Sequence, residues 1–268
     1  MPSKGDPHEF IKVDQTNDPR YFIEFLDARK TVEGEREVKE LVLDLLDLHL
    51  GAHVLDIGCG TGDDAREIAG LVGATGRVVG LDPSEVMVAE AKRRAPASVA
   101  ALEFRTGDVR KLDFPDSSFD AVRTDRVLMF VPEIEQALSE IFRVLRPGGR
   151  LVTSELDAET YFVDSPMVET SREVFAVFAK NLPHSRLGRQ LLRLVTQTGF
   201  RRTKSVPQVV RPPYKTFRLF HEHLRSSIEK GRLPEEEVTR WLEGLEQAEA
   251  DDVFNYGIIV FTVCGEKP

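Results

Sequence analysis

Short β-strand patterns alternate with amphipathic helical patterns through the middle of the chain, and this alternation restricts its fold more than any other feature. Five β-rich runs occur between His53 and Leu156: HVLDI, GRVVGLD, ALEFRTGD, FDAVRTD and GRLVTSEL. Helical patterns lie between them at about 62–72, 84–95 and 133–145. Strands that alternate with crossover helices form a mostly parallel sheet with helices on both faces. The sequence therefore predicts an α/β fold.

The pattern changes after Leu156, where the chain adds helices that a minimal sheet does not need. Residues 158–185 and 213–250 are mainly helical, whereas RTKSVPQVV and FNYGIIVFTVCG have the composition of two final strands. We predict that both helical insertions and the aromatic N-terminal helices form a cap over the carboxyl edge of the sheet. The expected divisions are a lid segment at 1–34, a core at 35–157, and a C-terminal part of the same domain at 158–268.

Composition and charge argue against several classes of function. The 268 residues include 36 Lys and Arg against 45 Asp and Glu, a net charge of −9, whereas binding along a phosphate backbone needs clustered cations. The sequence contains no apolar run of roughly 20 residues, as a membrane span needs, and no apolar secretory core near Met1. Cys59 and Cys264 lack the spacing of metal ligands. We therefore expect a cytoplasmic protein without a metal, which binds neither nucleic acid nor membrane.

A glycine-rich motif, VLDIGCGTGDD, extends from Val54 to Asp64 and includes the first predicted strand. Its glycines permit unusual backbone dihedrals and the close approach of a ligand at the strand end. The dinucleotide fingerprint G-x-G-x-x-G has a different spacing, and Asp56, Asp63 and Asp64 would repel a pyrophosphate. The same carboxylates suit a cationic ligand such as S-adenosylmethionine, which carries a sulfonium and an α-ammonium group.

Carboxylates also occur at the ends of the next predicted strands. Asp82 ends GRVVGLD, where a carboxylate accepts from both ribose hydroxyls, although nicotinamide-binding folds use an acidic residue at the same place. Asp108 follows the third strand, where it can accept from the exocyclic amine of an adenine. The fourth strand ends at Asp125, under the expected position of the methionine part of the ligand.

Together these motifs resemble those of class I S-adenosylmethionine-dependent methyltransferases, of the small-molecule type related to ubiquinone- and menaquinone-biosynthesis methyltransferases. VLDIGCGTG, GLDPSEVM, GDVRKLDFPDSSFDAV and VLRPGGRL carry the resemblance, which extends from roughly Val38 to Phe200, and GIIVFTVCGEKP is similar to the family's last strand. The resemblance implies a Rossmann-like, seven-stranded, mostly parallel sheet of order 3-2-1-4-5-7-6 with an antiparallel last strand. It also implies that 35–157 is the cofactor-binding core.

The resemblance assigns roles to individual residues. Asp56 and the backbone of Gly58 and Gly60 would hold the amino-acid end of the cofactor, and Asp82 would bind its ribose. Residues 107–109 would contact the adenine. The complete set of predicted cofactor-binding residues is Tyr21, Asp56, Gly58, Gly60, Asp82, Pro83, Met87, Gly107, Asp108, Val109 and Thr124.

The implied reaction is in-line attack of an acceptor on the sulfonium methyl, which releases S-adenosylhomocysteine. Because the leaving group is already activated, positioning supplies most of the acceleration, and a general base is needed only for acceptors that must lose a proton. Candidate bases are His184, Asp125, Glu155 and Asp157. The fourth strand ends in TDRVL and lacks the Asn/Asp-Pro-Pro-Tyr/Phe motif of nucleobase amino-methyltransferases. We expect an apolar or aromatic metabolite as acceptor, with methylation on O, N or C.

Alternatives to a small-molecule methyltransferase stay open at this stage. The same binding motifs would serve a fold that performs lyase or cyclisation chemistry, in which the cofactor is not consumed. A non-catalytic binding partner is a further alternative, although the intact Asp56, Asp82 and Asp108 argue against it. The glycine spacing disfavours a nicotinamide dehydrogenase. Monomer and homodimer are both compatible with the sequence.

Overall fold

A computed structural model of the chain describes residues 7–30, 32–96 and 102–268. Residues 1–6 and 31 of the predicted lid segment, and 97–101 of the predicted core, lie outside the described residues. The described part is an eight-stranded sheet covered by helices on both faces, so the predicted α/β class is confirmed. Among these residues no helix is both long enough and apolar enough to cross a bilayer.

The N-terminal part packs on one face of the sheet through its second helix and lies at the carboxyl edge through the residues before it. It consists of a 3₁₀ segment at Pro7–Gln15 and two helices, α1 (Arg20–Arg29) and α2 (Glu35–Leu46). Gly34 precedes α2 with a φ of 86°, and a Cβ at this position would lie 2.7 Å from the carbonyl oxygen of Val209. Because only glycine fits this approach, it brings the start of α2 against the strand that contains Val209.

The middle of the chain alternates strands and helices. Its elements are β1 (His53–Ile57), α3 (Asp63–Val72), β2 (Arg77–Asp82), α4 (Glu85–Arg94), β3 (Leu102–Thr106), β4 (Phe119–Asp125), α5 (Ile134–Val144) and β5 (Leu145–Leu156). The strands pair in parallel in the order β3-β2-β1-β4-β5. Their carboxyl ends therefore meet at one edge of the sheet, where ligands bind in open α/β folds.

The C-terminal part completes the sheet and adds four helices to the described structure. Its elements are β6 (Phe162–Val163), α6 (Val168–Lys180), α7 (Leu187–Thr198), β7 (Arg201–Val210), α8 (Tyr214–Glu229), α9 (Glu235–Ala250) and β8 (Tyr256–Glu266). Strand β8 runs antiparallel between β5 and β7, which confirms the expected order 3-2-1-4-5-7-6 with β8 as its seventh strand. The two-residue strand β6, which pairs with the start of β8, is an addition to the predicted sheet.

The two faces of the sheet bury alternate residues of the same strands. Leu55 and Val79 belong to the hydrophobic core that contains α5 and α7, whereas Val54 and Val78 belong to the core that contains α2 and α3. This period of two is expected for strands that are covered on both sides. With both faces covered, the carboxyl edge is the part of the parallel strands that is left for a ligand.

Candidate active site

A cavity of about 340 Å³ lies at the carboxyl edge of the parallel strands. Its first half is bounded by the glycine loop after β1 and by the ends of β2 and β3, and its second half by side chains of the C-terminal part. Phe10, Val13 and Phe25 add an N-terminal wall. The cavity is thus a single space that borders both the glycine loop and the C-terminal part.

The glycine loop approaches the segment after β4 very closely. Gly58, Gly60 and Gly62 have φ angles of 69°, 50° and 75°, a region that favours glycine. A Cβ on Gly58 would lie 2.1 Å from Cγ2 of Val127. The loop therefore has no room for a side chain at its first glycine.

Asp82 joins the glycine loop to the start of α4. Its carboxylate accepts hydrogen bonds from the backbone N–H groups of Gly60 at 2.9 Å and Ser84 at 3.0 Å, and it forms part of the cavity wall. Burial raises the pKa of Asp82 to about 6, although both N–H donors oppose the rise. The ionised carboxylate therefore predominates at neutral pH and can accept from the two hydroxyls of a ribose.

Eight of the eleven predicted cofactor-binding residues line the cavity. Among them, Asp108 accepts hydrogen bonds from Arg110, including one from Nη2 at 2.7 Å, and this contact lowers the pKa of Asp108. Arg110 itself lies in the wall. The eight residues are Gly58, Gly60, Asp82, Pro83, Met87, Gly107, Asp108 and Val109.

The structure places Asp56, Thr124 and Tyr21 outside the cavity lining. Asp56 is buried and accepts from Nη1 of Arg123 at 2.6 Å, while its Oδ2 has no hydrogen-bond partner among the described residues. Thr124 donates to the hydroxyl of Thr153 at 2.7 Å, and Tyr21 is buried in an N-terminal aromatic cluster. Their contact with the cofactor stays a prediction.

Of the four candidate bases, Asp125 lies in the cavity wall. Glu155 is fully buried and accepts backbone hydrogen bonds from residues 127–129 at 3.0, 2.7 and 3.4 Å. Burial raises the pKa of Glu155 to about 8, which its N–H donors oppose. In this structure Glu155 anchors the backbone of the wall and does not reach the cavity.

Asp157 and His184 also contact protein groups and not the cavity. Asp157 pairs with Arg189 through two contacts, one of them 2.8 Å from Nη2 of the arginine to Oδ1. Nε2 of His184 lies 2.9 Å from the carbonyl oxygen of Val131, so this nitrogen carries the proton in the contact. Neither residue is brought near Asp125 by a contact in the described structure, and a catalytic role for them stays a prediction.

Sequence reasoning missed three charged side chains that surround Asp125 in the cavity wall. Arg29, Glu35 and Arg126 form with it what we call the charge cluster. Nη1 of Arg126 lies 2.9 Å from Oε2 of Glu35 and 2.9 Å from Oδ1 of Asp125. Nη2 of Arg29 lies 3.3 Å from the same oxygen of Glu35. Arg126 directly follows a predicted strand end, and this position could have indicated a role at the site. Arg29 and Glu35 lie in helical patterns that give no such indication.

The second half of the cavity is apolar and aromatic. Tyr161 stacks on Tyr256 with 5.8 Å between ring centroids, and Phe178 meets Tyr161 edge-on at 5.1 Å. Ile258 and Val260 of β8 add aliphatic surface. These five residues form what we call the apolar chamber. Its composition suits a small molecule with an apolar or aromatic body.

Comparison with known proteins places the chain in a family. Residues 48–199 match a family model described as a methyltransferase domain. An uncharacterised 37.1 kDa protein in transposon TN4556 of Streptomyces fradiae is 39% identical over 233 residues, which are 83% of this chain and 66% of that protein. A 2-phytyl-1,4-naphtoquinone methyltransferase of Thermosynechococcus vestitus is 33% identical over 63% of this chain and 81% of its own length. The chain thus spans just under two thirds of the length of the transposon relative.

A solved structure extends the comparison to the fold. The crystal structure of the [4+2]-cyclase SpnF is 25% identical with a TM-score of 0.50, and the match covers 84% of this chain and 79% of that one. The matched family model covers more than half of the 268 residues and includes the glycine loop, Asp82 and Asp108. The resemblance to class I S-adenosylmethionine-dependent methyltransferases is therefore confirmed, and the chain belongs to the methyltransferase domain family.

Proposed function

We propose that this protein is an S-adenosylmethionine-dependent methyltransferase that acts on a small apolar or aromatic acceptor. The observation that carries the proposal is the 2.9 Å hydrogen bond from Gly60 to Asp82 in the wall of a cavity that continues into the apolar chamber. This arrangement offers a ribose-binding carboxylate beside a glycine loop, and a separate space for a second molecule. The bound cofactor would supply a methyl group that its sulfonium activates.

In this proposal the residues of the chain bind and orient both molecules. Asp82 accepts from the ribose hydroxyls, and Asp108 and Val109 contact the edge of the adenine. The apolar chamber buries the body of the acceptor and leaves the reacting atom directed toward Asp125. Correct alignment of two bound reactants is worth about 7–11 kcal/mol of a reaction barrier, so positioning is the main contribution that we assign to the protein.

We further propose that the N-terminal segment is a lid and the C-terminal insertions are a cap. Phe10, Val13 and Phe25 in the described part of the lid segment 1–34 line the cavity. Residues 158–185 and 213–250 contribute Tyr161, Phe178 and Thr216 from the other side of the cofactor-binding core at 35–157. Both parts would exclude water from the reacting groups.

The partner in this proposal is a small molecule. A net charge of −9 does not favour binding to nucleic acid, and this expectation from the sequence is retained. The cytoplasmic location and the choice between a monomer and a homodimer likewise stay predictions.

A second candidate function is cyclisation without consumption of the cofactor. It is favoured by the 25% identity to a protein named as a [4+2]-cyclase, over 84% of this chain. The apolar chamber would then fold an extended substrate onto itself. The two functions differ in one measurable product, because only methyl transfer converts S-adenosylmethionine to S-adenosylhomocysteine.

The experiment that tests the proposal combines binding and turnover. Calorimetry with S-adenosylhomocysteine is expected to give a micromolar or lower Kd for the wild type and no binding for Asp82→Ala. The control is Glu169→Ala, which changes a side chain that is 79% exposed. Phenolic, quinonoid and amine acceptors are then screened for S-adenosylhomocysteine formation. A wild type that does not bind S-adenosylhomocysteine would contradict the proposal. A substrate that is cyclised without formation of S-adenosylhomocysteine would favour the second candidate.

A further inference from the structure

Two arginines in the cavity wall have N–H groups without an acceptor. Nε of Arg29 and Nη2 of Arg126 are buried, and neither has a hydrogen-bond partner in the described part of the chain. The side chain of Arg126 is 9% exposed, so water does not solvate it freely. A buried donor without an acceptor costs about 1–3 kcal/mol, and more when the group is charged. Both side chains also line the cavity, so a small rotation of either guanidinium turns these N–H groups toward an acceptor bound there.

The two guanidinium groups are neighbours because both contact the same oxygen. Arg126 Nη1 and Arg29 Nη2 lie 2.9 and 3.3 Å from Oε2 of Glu35. Arginine is a planar fork whose N–H groups match the two oxygens of a carboxylate. Both side chains line the same cavity as Asp82 and the apolar chamber.

The charge balance of the cluster favours a single negative charge. Arg29 and Arg126 are balanced by Glu35 and Asp125 when all four are ionised. Arg123 lies 3.2 Å from Asp125, but it also pairs with Asp56 and Asp64, so it adds no excess positive charge. A monoanion adds one negative charge, which the uptake of one proton offsets. A phosphate dianion would add two negative charges beside the same two carboxylates, and it is disfavoured for that reason.

We infer that Arg29 and Arg126 form a carboxylate-binding subsite in the cavity, with Glu35 as their counter-ion when the subsite is empty. The inference rests on the proposed function, which provides two sources for the carboxylate. One is the amino-acid end of the cofactor, and the other is an acidic group on the acceptor. The chemistry is the same in both cases, and the ligands chosen for the test separate them.

Glu35 couples binding at this subsite to the uptake of a proton. Burial raises its pKa to about 7, with Arg29 and Lys39 opposing the rise and Asp125 adding to it. A carboxylate bound beside Glu35 favours its protonated form further. Ligands that enter the subsite are therefore accompanied by proton uptake at about pH 7.5, near the titration range of Glu35.

The test compares two adenosyl ligands on Arg29→Met and Arg126→Met. S-adenosylhomocysteine has the amino-acid end, whereas 5′-methylthioadenosine has the same nucleoside without it. If the cofactor is the source, each variant binds S-adenosylhomocysteine at least tenfold more weakly and 5′-methylthioadenosine within twofold of the wild type. Arg172→Met is the control, since the exposed Arg172 pairs with Glu169 away from the cavity lining.

The second part of the test addresses the acceptor as the source. Protein saturated with S-adenosylhomocysteine is titrated with 2-naphthoate, an apolar carboxylate that fits the chemistry of the chamber. Binding to the wild type and its loss in both arginine variants, with S-adenosylhomocysteine affinity unchanged, would identify an acceptor subsite. Calorimetry in buffers of different ionisation enthalpy measures the proton uptake, which Glu35→Gln is expected to abolish.

One set of results overturns the inference. It does not hold if both arginine variants bind S-adenosylhomocysteine and 2-naphthoate within twofold of the wild type. If a methionine variant loses both adenosyl ligands, the same titrations are repeated with Arg29→Lys and Arg126→Lys, because lysine keeps the charge and lacks the planar fork. Weaker binding of S-adenosylhomocysteine with unchanged binding of 5′-methylthioadenosine then supports the subsite, and equal binding of both overturns it. Failure of the wild type to bind either adenosyl ligand contradicts the proposed function instead, and the naphthoate titration then decides the subsite alone.

Discussion

Gly58 and Val127 are packed so closely that a Cβ on the glycine would lie 2.1 Å from Cγ2 of the valine. The glycine also has a φ of 69°, which is strained for any residue with a side chain. We expect Gly58→Ala to weaken S-adenosylhomocysteine binding at least tenfold and to lower the free energy of unfolding by about 1–3 kcal/mol. Calorimetry and urea denaturation measure the two effects.

Two further variants separate the close contact from a general effect of alanine. Gly70 lies inside α3 with no heavy atom within 4 Å of an added Cβ, so Gly70→Ala is expected to bind normally. In Gly58→Ala with Val127→Ala, the two clashing methyl groups are gone, and the backbone strain and a 3.1 Å approach to the Cβ of residue 127 are left. Binding that recovers in part supports the packing argument, and normal binding by Gly58→Ala alone would contradict it.

We predict that nucleoside binding depends on pH through the titration of Asp82. The ionised carboxylate accepts from both ribose hydroxyls, whereas the protonated form has one good acceptor oxygen fewer and binds them more weakly. With a pKa of about 6, the affinity for 5′-methylthioadenosine should be constant above about pH 7 and fall about fivefold between about pH 6 and 5. Calorimetry between about pH 5 and 8 measures this slope.

The control for this slope is Asp82→Asn, which is expected to bind weakly and with the same affinity across the range. Glu35→Gln is expected to keep the slope, because 5′-methylthioadenosine has no carboxylate to enter the charge cluster. A slope that survives in Asp82→Asn would show that another group titrates.

The positions that we propose for nucleoside binding were predictable from local pattern. Gly60, Asp82 and Asp108 all follow predicted strands, and parallel pairing brings such strand ends to one edge. The chemistry of each residue type then indicates its role. Little long-range information is needed for these positions, and eight of the predicted residues line the cavity, while their contact with the cofactor stays a prediction. The strand order was expected from the family resemblance and not from local pattern, and the structure confirms it.

The environment of Asp56 was not predictable in the same way. Its register partner on β4 is Arg123, 67 residues later in the chain. The guanidinium of Arg123 donates a hydrogen bond to one carboxylate oxygen of Asp56. The motif indicates a carboxylate at the strand end but does not indicate which neighbouring side chain reaches it. Arg29 and Glu35 present the same difficulty, since only tertiary packing brings them to Arg126.

Glu155 is expected to contribute stability through the backbone of the cavity wall. Glu155→Ala leaves the N–H groups of residues 127–129 without their buried acceptor. A loss of about 2–4 kcal/mol in the free energy of unfolding follows, since each orphaned donor is costly. Glu155→Gln, which keeps one acceptor oxygen, should lie between the wild type and Glu155→Ala in urea denaturation.

Glu159→Ala is the matched control for Glu155. Glu159 is 44% exposed and pairs with Arg186 at 3.2 Å, so its removal should cost less than about 1 kcal/mol. Equal losses in Glu155→Ala and Glu159→Ala would refute the anchoring role.

Asp14 links the proposed lid to the nucleoside half of the cavity. Its carboxylate accepts from the N–H of Glu85 at 2.7 Å and of Val86 at 3.3 Å, at the start of α4, while its neighbour Val13 lines the cavity. Asp14→Ala removes this attachment at a helix N-terminus, a change worth about 1 kcal/mol. We expect S-adenosylhomocysteine to dissociate about three to ten times faster, because that energy corresponds to a rate factor of this size.

Stopped-flow fluorescence measures the rate, with Asp18→Ala as the control in the same segment. Equal dissociation rates for Asp14→Ala and Asp18→Ala would mean that the segment does not act as a lid.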